Sequence, residues 1–252
     1  SGGGDPISTN QTLSPALTKK PMTIDLAYFQ YRVAGLAFVG GKMKNPLFRP
    51  GDSQLIWDSD LTPEGITAAY EIQAGTFKLS ALGLAFWNAD RKGDEKDSHI
   101  LGGQARVHGE FGAFILCAAG GLYNFTKIKG YAPLYDNKAF GNTLDAETLY
   151  VNDYNIVDAG LELKGKLGKL PFAVFGQLAM NLAADEEKTG FLAGFSVGDS
   201  SKAMGWKLDL RTDIYSVGAV LYEMLTGTPP HLAATEVDIL KKIKDGKFTP
   251  VR

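Results

Sequence analysis

From Ile24 to about Leu210 apolar and polar residues alternate along the chain with a period of two. The clearest stretch is Ile156 to Lys166, where Val157, Ala159, Leu161, Leu163 and Gly165 fall on one face and Asp158, Gly160, Glu162, Lys164 and Lys166 on the other. Successive side chains of a strand point to opposite faces, so this predicts a strand with one apolar and one charged face. The same parity runs through Ile66 to Gln73, Gln104 to Phe111, Phe191 to Gly198 and Trp206 to Arg211. With the runs at 24–33, 36–44, 76–88, 113–126 and 169–181, it predicts about ten strands, most of eight to fourteen residues.

The links between these strands are of two kinds. Very short ones (Val33-Ala34-Gly35, Ala74-Gly75, Gly109 to Gly112, Gly165 to Lys169) alternate with longer ones at 45–65, 89–98, 127–153 and 182–188. Tight turns at one end and long loops at the other predict a mainly β fold, an up-and-down antiparallel β-barrel of about ten strands. A soluble β-sandwich or a lipocalin-like barrel also alternates, so a soluble β-rich binding module is the competing reading. Strand length favours the membrane form, because about ten residues make a tilted crossing of the hydrocarbon whereas globular strands run nearer five or six. Aromatic residues gather near strand ends, at Tyr28, Phe29 and Tyr31, at Phe86 and Trp87, and at Tyr123 and Phe125, where an interfacial girdle would lie.

After Leu210 the period changes. Ile214, Val217, Val220, Leu221, Met224 and Leu225 are spaced for a helix over 213–225, closed by Thr226-Gly227 and Pro229-Pro230. Val237, Ile239, Leu240 and Ile243 predict a second short helix over 235–245. Three segments follow: a polar, Gly/Ser/Thr/Pro-rich N-terminal stretch at 1–22, a β-barrel region at 23–210 and a helical segment at 211–252.

Composition narrows the function classes. Twenty-six Lys and Arg stand against 28 Asp and Glu, a net charge of −2 that offers no basic field for nucleic acid. The single cysteine, Cys117, excludes an intramolecular disulfide framework and a thiolate-rich zinc site. His99, His108 and His231 lack a second ligand at metal spacing, and no serine sits in a nucleophile elbow, so no catalytic residue, metal or cofactor is expected. No run of 18 apolar residues occurs, which excludes a spanning helix and leaves a barrel open. Ser1-Gly2-Gly3-Gly4-Asp5-Pro6 has neither the charged nor the apolar region of an export signal, so the terminus is silent on compartment.

Two resemblances stand side by side. Gly40-Gly41-Lys42-Met43-Lys44-Asn45-Pro46 and Trp57-Asp58-Ser59-Asp60-Leu61-Thr62-Pro63-Glu64-Gly65 resemble the signature of the bacterial putative porin family. Weaker agreement through Gly102-Gly103-Gln104, Leu170-Pro171-Phe172 with Asn181, and Gly190 to Gly198 extends it over about 24–210. This resemblance implies an outer-membrane barrel, embedded in lipid, for passive diffusion of small hydrophilic solutes, with homo-oligomers an option and no catalytic residue. Members of that family are longer, which implies further strands before Ile24 and after Leu210, and the terminal Phe248-Thr249-Pro250-Val251-Arg252 lacks the final aromatic expected of an exported barrel. Arg211-Thr212-Asp213-Ile214-Tyr215-Ser216-Val217-Gly218 and Leu221 to Pro230 resemble the central C-lobe helix of bacterial serine/threonine kinases, with Asp213, Gly218 and Glu223 at structural positions. The Gly-rich loop, the strand lysine, the His-Arg-Asp loop and the Asp-Phe-Gly site are not found upstream, so the expectation is a fusion carrying a non-catalytic tail, with a kinase fragment as the alternative.

Charged residues on the polar faces and in the signature segment are the candidates for lining or constricting a pore: Lys42, Lys44, Arg49, Asp58, Asp60, Glu64, Arg106, Glu110, Asp158, Glu162 and Lys164. The signature segment gathers charges of both signs around Pro46, Pro50, Pro63 and Trp57. It reads equally as a rigid, salt-bridged loop or as a loop folded inward that narrows a pore. Glu162 is expected to face a wet lumen, where a change of charge is tolerated.

Overall fold

The computed structural model describes residues 24–91, 96–134, 142–185, 188–199 and 207–212. The N-terminal stretch and the two helices expected over 213–225 and 235–245, with Asp213, Gly218 and Glu223, lie outside them.

Ten strands form one antiparallel sheet in which every strand pairs with its neighbours in sequence. They are β1 (Ala27–Val33), β2 (Leu36–Lys42), β3 (Glu64–Ala74), β4 (Phe77–Ala89), β5 (Ser98–Phe111), β6 (Phe114–Phe125), β7 (Tyr154–Leu167), β8 (Leu170–Asn181), β9 (Thr189–Gly198) and β10 (Lys207–Thr212). Two-residue turns join β1 to β2, β3 to β4, β5 to β6 and β7 to β8 at one end. The turn residues Gly75, Gly112 and Gly168 have φ of 64°, 60° and 64°, the left-handed region that the first position of a type I′ or II′ hairpin demands. The strands and their up-and-down order agree with the sequence pattern. Closure does not follow: among the described residues β1 pairs only with β2 and β10 only with β9, so the two edges do not meet and the sheet is open. The one helical piece among the described residues is a 3-10 turn, Pro50–Asp52.

The register sorts side chains onto two faces. Ile66, Ala85, Leu101 and Asn124 form one continuous row of neighbours, and Leu122, Val157 and Met180 another, all on the same face. That face is the exposed one, with Ile66, Leu79, Leu101, Val107, Leu161, Val174, Phe195 and Leu210 open on it. The other face carries the polar set and is the more buried. Such an inversion, apolar outside and polar inside, is the reverse of a water-soluble sheet.

The buried face is concave, because the β2–β3 loop (43–63) reaches partners on β5, β7, β8 and β10 at once. A small core forms where it lands. Met43, Leu47 and Trp57 from the loop pack with Leu84, Phe86, Ile100 and Tyr123 from β4, β5 and β6. Phe86 and Tyr123, at 1% and 0% exposed, therefore belong to this internal packing and not to an outer girdle. The even–odd count explains it: they share the inward parity of Leu84 and Gly121. The outward aromatics include Phe29, Tyr31 and Trp87, together with Phe77, Phe111, Phe114 and Phe172 near the short turns.

Candidate functional site: the infolded β2–β3 loop

The loop leaves the sheet through a tied neck. Met43 N donates to Pro63 O at 2.9 Å and Lys42 Nζ to Thr62 O at 3.2 Å, so the two ends of the segment stay together. Within it the Arg49 guanidinium donates to Ser53 O and Trp57 O, both at 3.2 Å, which pins the tip to the returning limb. Asp58 Oδ1 accepts from Asp60 N at 2.8 Å in an Asx turn that reverses the chain before β3. Lys42, Arg49 and Asp58 of the signature segment thus brace a folded loop.

Three polar anchors hold that loop to the concave face. The buried Gln104 amide pairs with Phe48 like a strand neighbour, Oε1 accepting from Phe48 N at 2.8 Å and Nε2 donating to Phe48 O at 3.0 Å. Glu162, 4% exposed, accepts from Gly51 N through Oε2 at 2.6 Å, while its Oε1 meets Lys164 Nζ at 2.6 Å. Arg211 donates to Asp52 O at 3.0 Å from β10 and lies 5.5 Å from the Phe175 ring centre. The backbone approaches so closely that no side chain fits between. A Cβ at Gly51, whose φ of 56° already disfavours one, would overlap the Phe175 ring, and a Cβ at Gly160 would stand 2.5 Å from Pro50 Cγ.

The signature segment is both braced within itself and folded against the concave face. Lys42, Asp58 and Glu64 line a cavity of about 2150 Å³ between the loop and the long-loop end, together with Trp57, Tyr154 and Lys188. Lys44, Asp60 and Glu64 are exposed. Arg106 sits on the concave face with its guanidinium 5.9 Å from the Phe48 ring centre and its Nε donating to Ser80 Oγ at 3.2 Å. Glu110, further along β5, is exposed and contacts His108. Asp158 is 6% exposed and accepts from Gln177 Nε2 at 2.7 Å. Glu162 is the main correction: it is buried under the loop it anchors, so a charge change there is not a neutral edit of a wet wall.

A carboxylate accepting from a backbone amide is a charge-assisted bond with a net worth of about 1.5–3 kcal/mol. Glu162→Gln keeps the shape and loses the charge. Amide exchange at 48–53, followed by mass spectrometry, is expected to quicken about tenfold, the equivalent of about 1.4 kcal/mol in an opening equilibrium. Unchanged exchange would show that the loop is held without this carboxylate.

Gln104, Gln177, Tyr123, Phe175 and Arg211 carry no mark of a site in the sequence, although a signal for some of them is present. Leu84, Phe86, Ile100, Tyr123 and Phe175 put large apolar groups on the polar face, which implies that something covers it there.

A family model described as Putative porin matches residues 1–150, more than half of the 252-residue chain. The chain belongs to that family. The matched part contains the whole infolded loop and the strands up to β6 on which its apolar core rests. Curated proteins similar to the chain include kinases, matched over short stretches. "Serine/threonine-protein kinase ATG1" of Sclerotinia sclerotiorum is 51% identical over 41 residues, 16% of this chain and 4% of that protein. "G2-specific protein kinase nimA" of Emericella nidulans is 42% identical over 45 residues, 18% of this chain and 6% of its own. "Probable serine/threonine-protein kinase" of Clostridium acetobutylicum is 54% identical over 50 residues, 19% and 8% respectively. The chain spans less than a tenth of the length of each. No solved structure matches it.

Proposed function

We propose that this chain forms wall and constriction of an outer-membrane porin that lets small hydrophilic solutes diffuse passively, the β2–β3 loop narrowing the path. The observation that carries the reading is the outer face, where large apolar side chains stay exposed from β1 to β10 while Asp158, Glu162, Gln104 and Gln177 turn inward. In water such a face would be a severe aggregation hazard, and in lipid it is the required one. Its aromatic spacing fits too. From Phe77 to Trp87 are ten residues of β4, which at about 3.3 Å each and a tilt of about 40° rise about 25 Å, the height of the apolar band of an outer-membrane barrel. Among the described residues no helix is long and apolar enough to cross a membrane.

A conducting path requires the free edges of β1 and β10 to be closed, by further strands or by another copy of the chain. The decisive experiment is refolding of the full chain into detergent followed by planar-bilayer recording. A β-rich species whose electrophoretic mobility changes on boiling, with stepwise conductance, is expected. A species that stays soluble without detergent and never conducts would overturn the reading.

Residues from 213 onward we read as a non-catalytic tail of kinase origin, the similarity to kinases being short and the phosphate-binding motifs lacking from the sequence before it. Titration with Mg-ATP in a calorimeter is expected to give no saturable heat. A saturable signal would restore a nucleotide-binding function.

A further inference from the structure

The concave face on the short-turn side of the loop carries an excess of fixed positive charge, and we infer that it selects small anions, carboxylates and phosphates, over cations among the solutes that pass. This rests on the porin reading and names its solute class. Beyond the loop anchors, inward register positions among the described residues hold six cations: Arg32, Lys78, Arg106, Lys164, Lys166 and Lys207. Three carboxylates stand at inward register positions there, Glu71, Glu110 and Asp209, and Asp199 follows the end of β9.

Each of the three inward carboxylates is already engaged. Glu71 meets Lys78 Nζ at 2.5 Å and Arg106 at 3.8 Å, Glu110 meets His108 at 3.4 Å, and Asp209 meets Lys207 at 2.7 Å and Arg211 at 3.7 Å. Two of the three are shared between two cations, so those clusters stay net positive. Glu162, at the level of the anchors, is taken by Gly51 N and Lys164. The cations remain open to solvent: the Lys164 side chain is 54% exposed, and Arg32 and Lys166 are exposed residues.

The excess is local. The chain as a whole has a net charge of −2, and Asp58, Asp60, Glu64, Asp90, Asp153 and Asp185 lie toward the opposite, long-loop end. In a path walled by low-dielectric protein and lipid, fixed charges within about a Debye length of 8–10 Å act on a permeating ion.

Two readouts test it. The first is the reversal potential under a KCl gradient, expected to show Cl⁻ preferred over K⁺ several-fold, with Lys164→Glu/Lys166→Glu moving it toward K⁺. Lys166→Glu alone, which touches no loop anchor, serves if the double variant does not fold. The second needs no conduction. Acetylation of lysines in the refolded full chain, resolved by mass spectrometry, is expected to slow several-fold at Lys166 and Lys207 with inorganic pyrophosphate, relative to NaCl of equal ionic strength, and to stay unchanged at Lys44. Conduction with K⁺ preferred or with no preference overturns the anion selectivity and leaves the porin standing. Protection without conduction overturns the porin reading and keeps the anion-binding face. Equal or absent protection at Lys44, Lys166 and Lys207 overturns the inference.

Discussion

Trp57→Ala is expected to release the β2–β3 loop from the concave face and to widen the path. Trp57 is 4% exposed, packs edge-on against Tyr123 with ring centres 5.0 Å apart, and stacks on Phe125 at 6.0 Å. Truncating a buried tryptophan costs about 3–5 kcal/mol. The polar anchors at Phe48, Gly51 and Asp52 contribute about 0.5–3 kcal/mol each, so the loss is of the size of the remaining hold. Nearly all of it falls on docking, because the strand ladders do not pass through the loop. The expected results are a larger single-channel conductance, first protease cuts within 47–60, and a sheet that still migrates as a heat-modifiable species. Wild-type conductance and protection in the variant would take the loop out of the path.

The strands are legible in the sequence because each reports on one face at a time. In β7, Val157 to Gly165 alternate without exception, and the strand runs over 154–167, within about two residues of its expected ends. In β4 the stretch Leu82 to Trp87 is apolar on both faces, so a period of two carries no sign there, and Phe86 reads as a girdle residue while it is core. The anchors are invisible for a different reason. Gln104 and Phe48 are 56 residues apart, Glu162 and Gly51 are 111, and Arg211 and Asp52 are 159. No local pattern links such pairs; only the curl of the sheet brings them together. Arg211 shows this most plainly. Its neighbours in sequence resemble a kinase helix, yet it pairs with Gly194 as part of β10 and reaches the loop. Alternation does not carry closure either, since parity fixes which way side chains point and not whether the two edges meet.

Leu161→Arg separates a lipid-facing sheet from a water-facing one, and the geometry of β7 makes stability alone a sufficient readout. Leu161 lies at the middle of the strand, on the outer face, 51% exposed, with Ala118 and Gly176 as its register partners. In water a half-exposed site beside small neighbours accepts arginine with a change of about 0.5 kcal/mol or less, because the long side chain extends into solvent. At the midplane of a bilayer the same guanidinium has no solvent to reach and costs about 2–4 kcal/mol. The difference is a factor of about ten or more in the folding equilibrium. Leu170 supplies the internal control, because it pairs with Leu167 on the same outer face but at the short-turn edge of the sheet, where an arginine can reach the interface. Equilibrium unfolding in urea, carried out in phospholipid vesicles, is expected to show the larger loss for Leu161→Arg and a loss of about 1 kcal/mol or less for Leu170→Arg. Equal, small losses at the two positions would place this face in water and take the membrane reading with it.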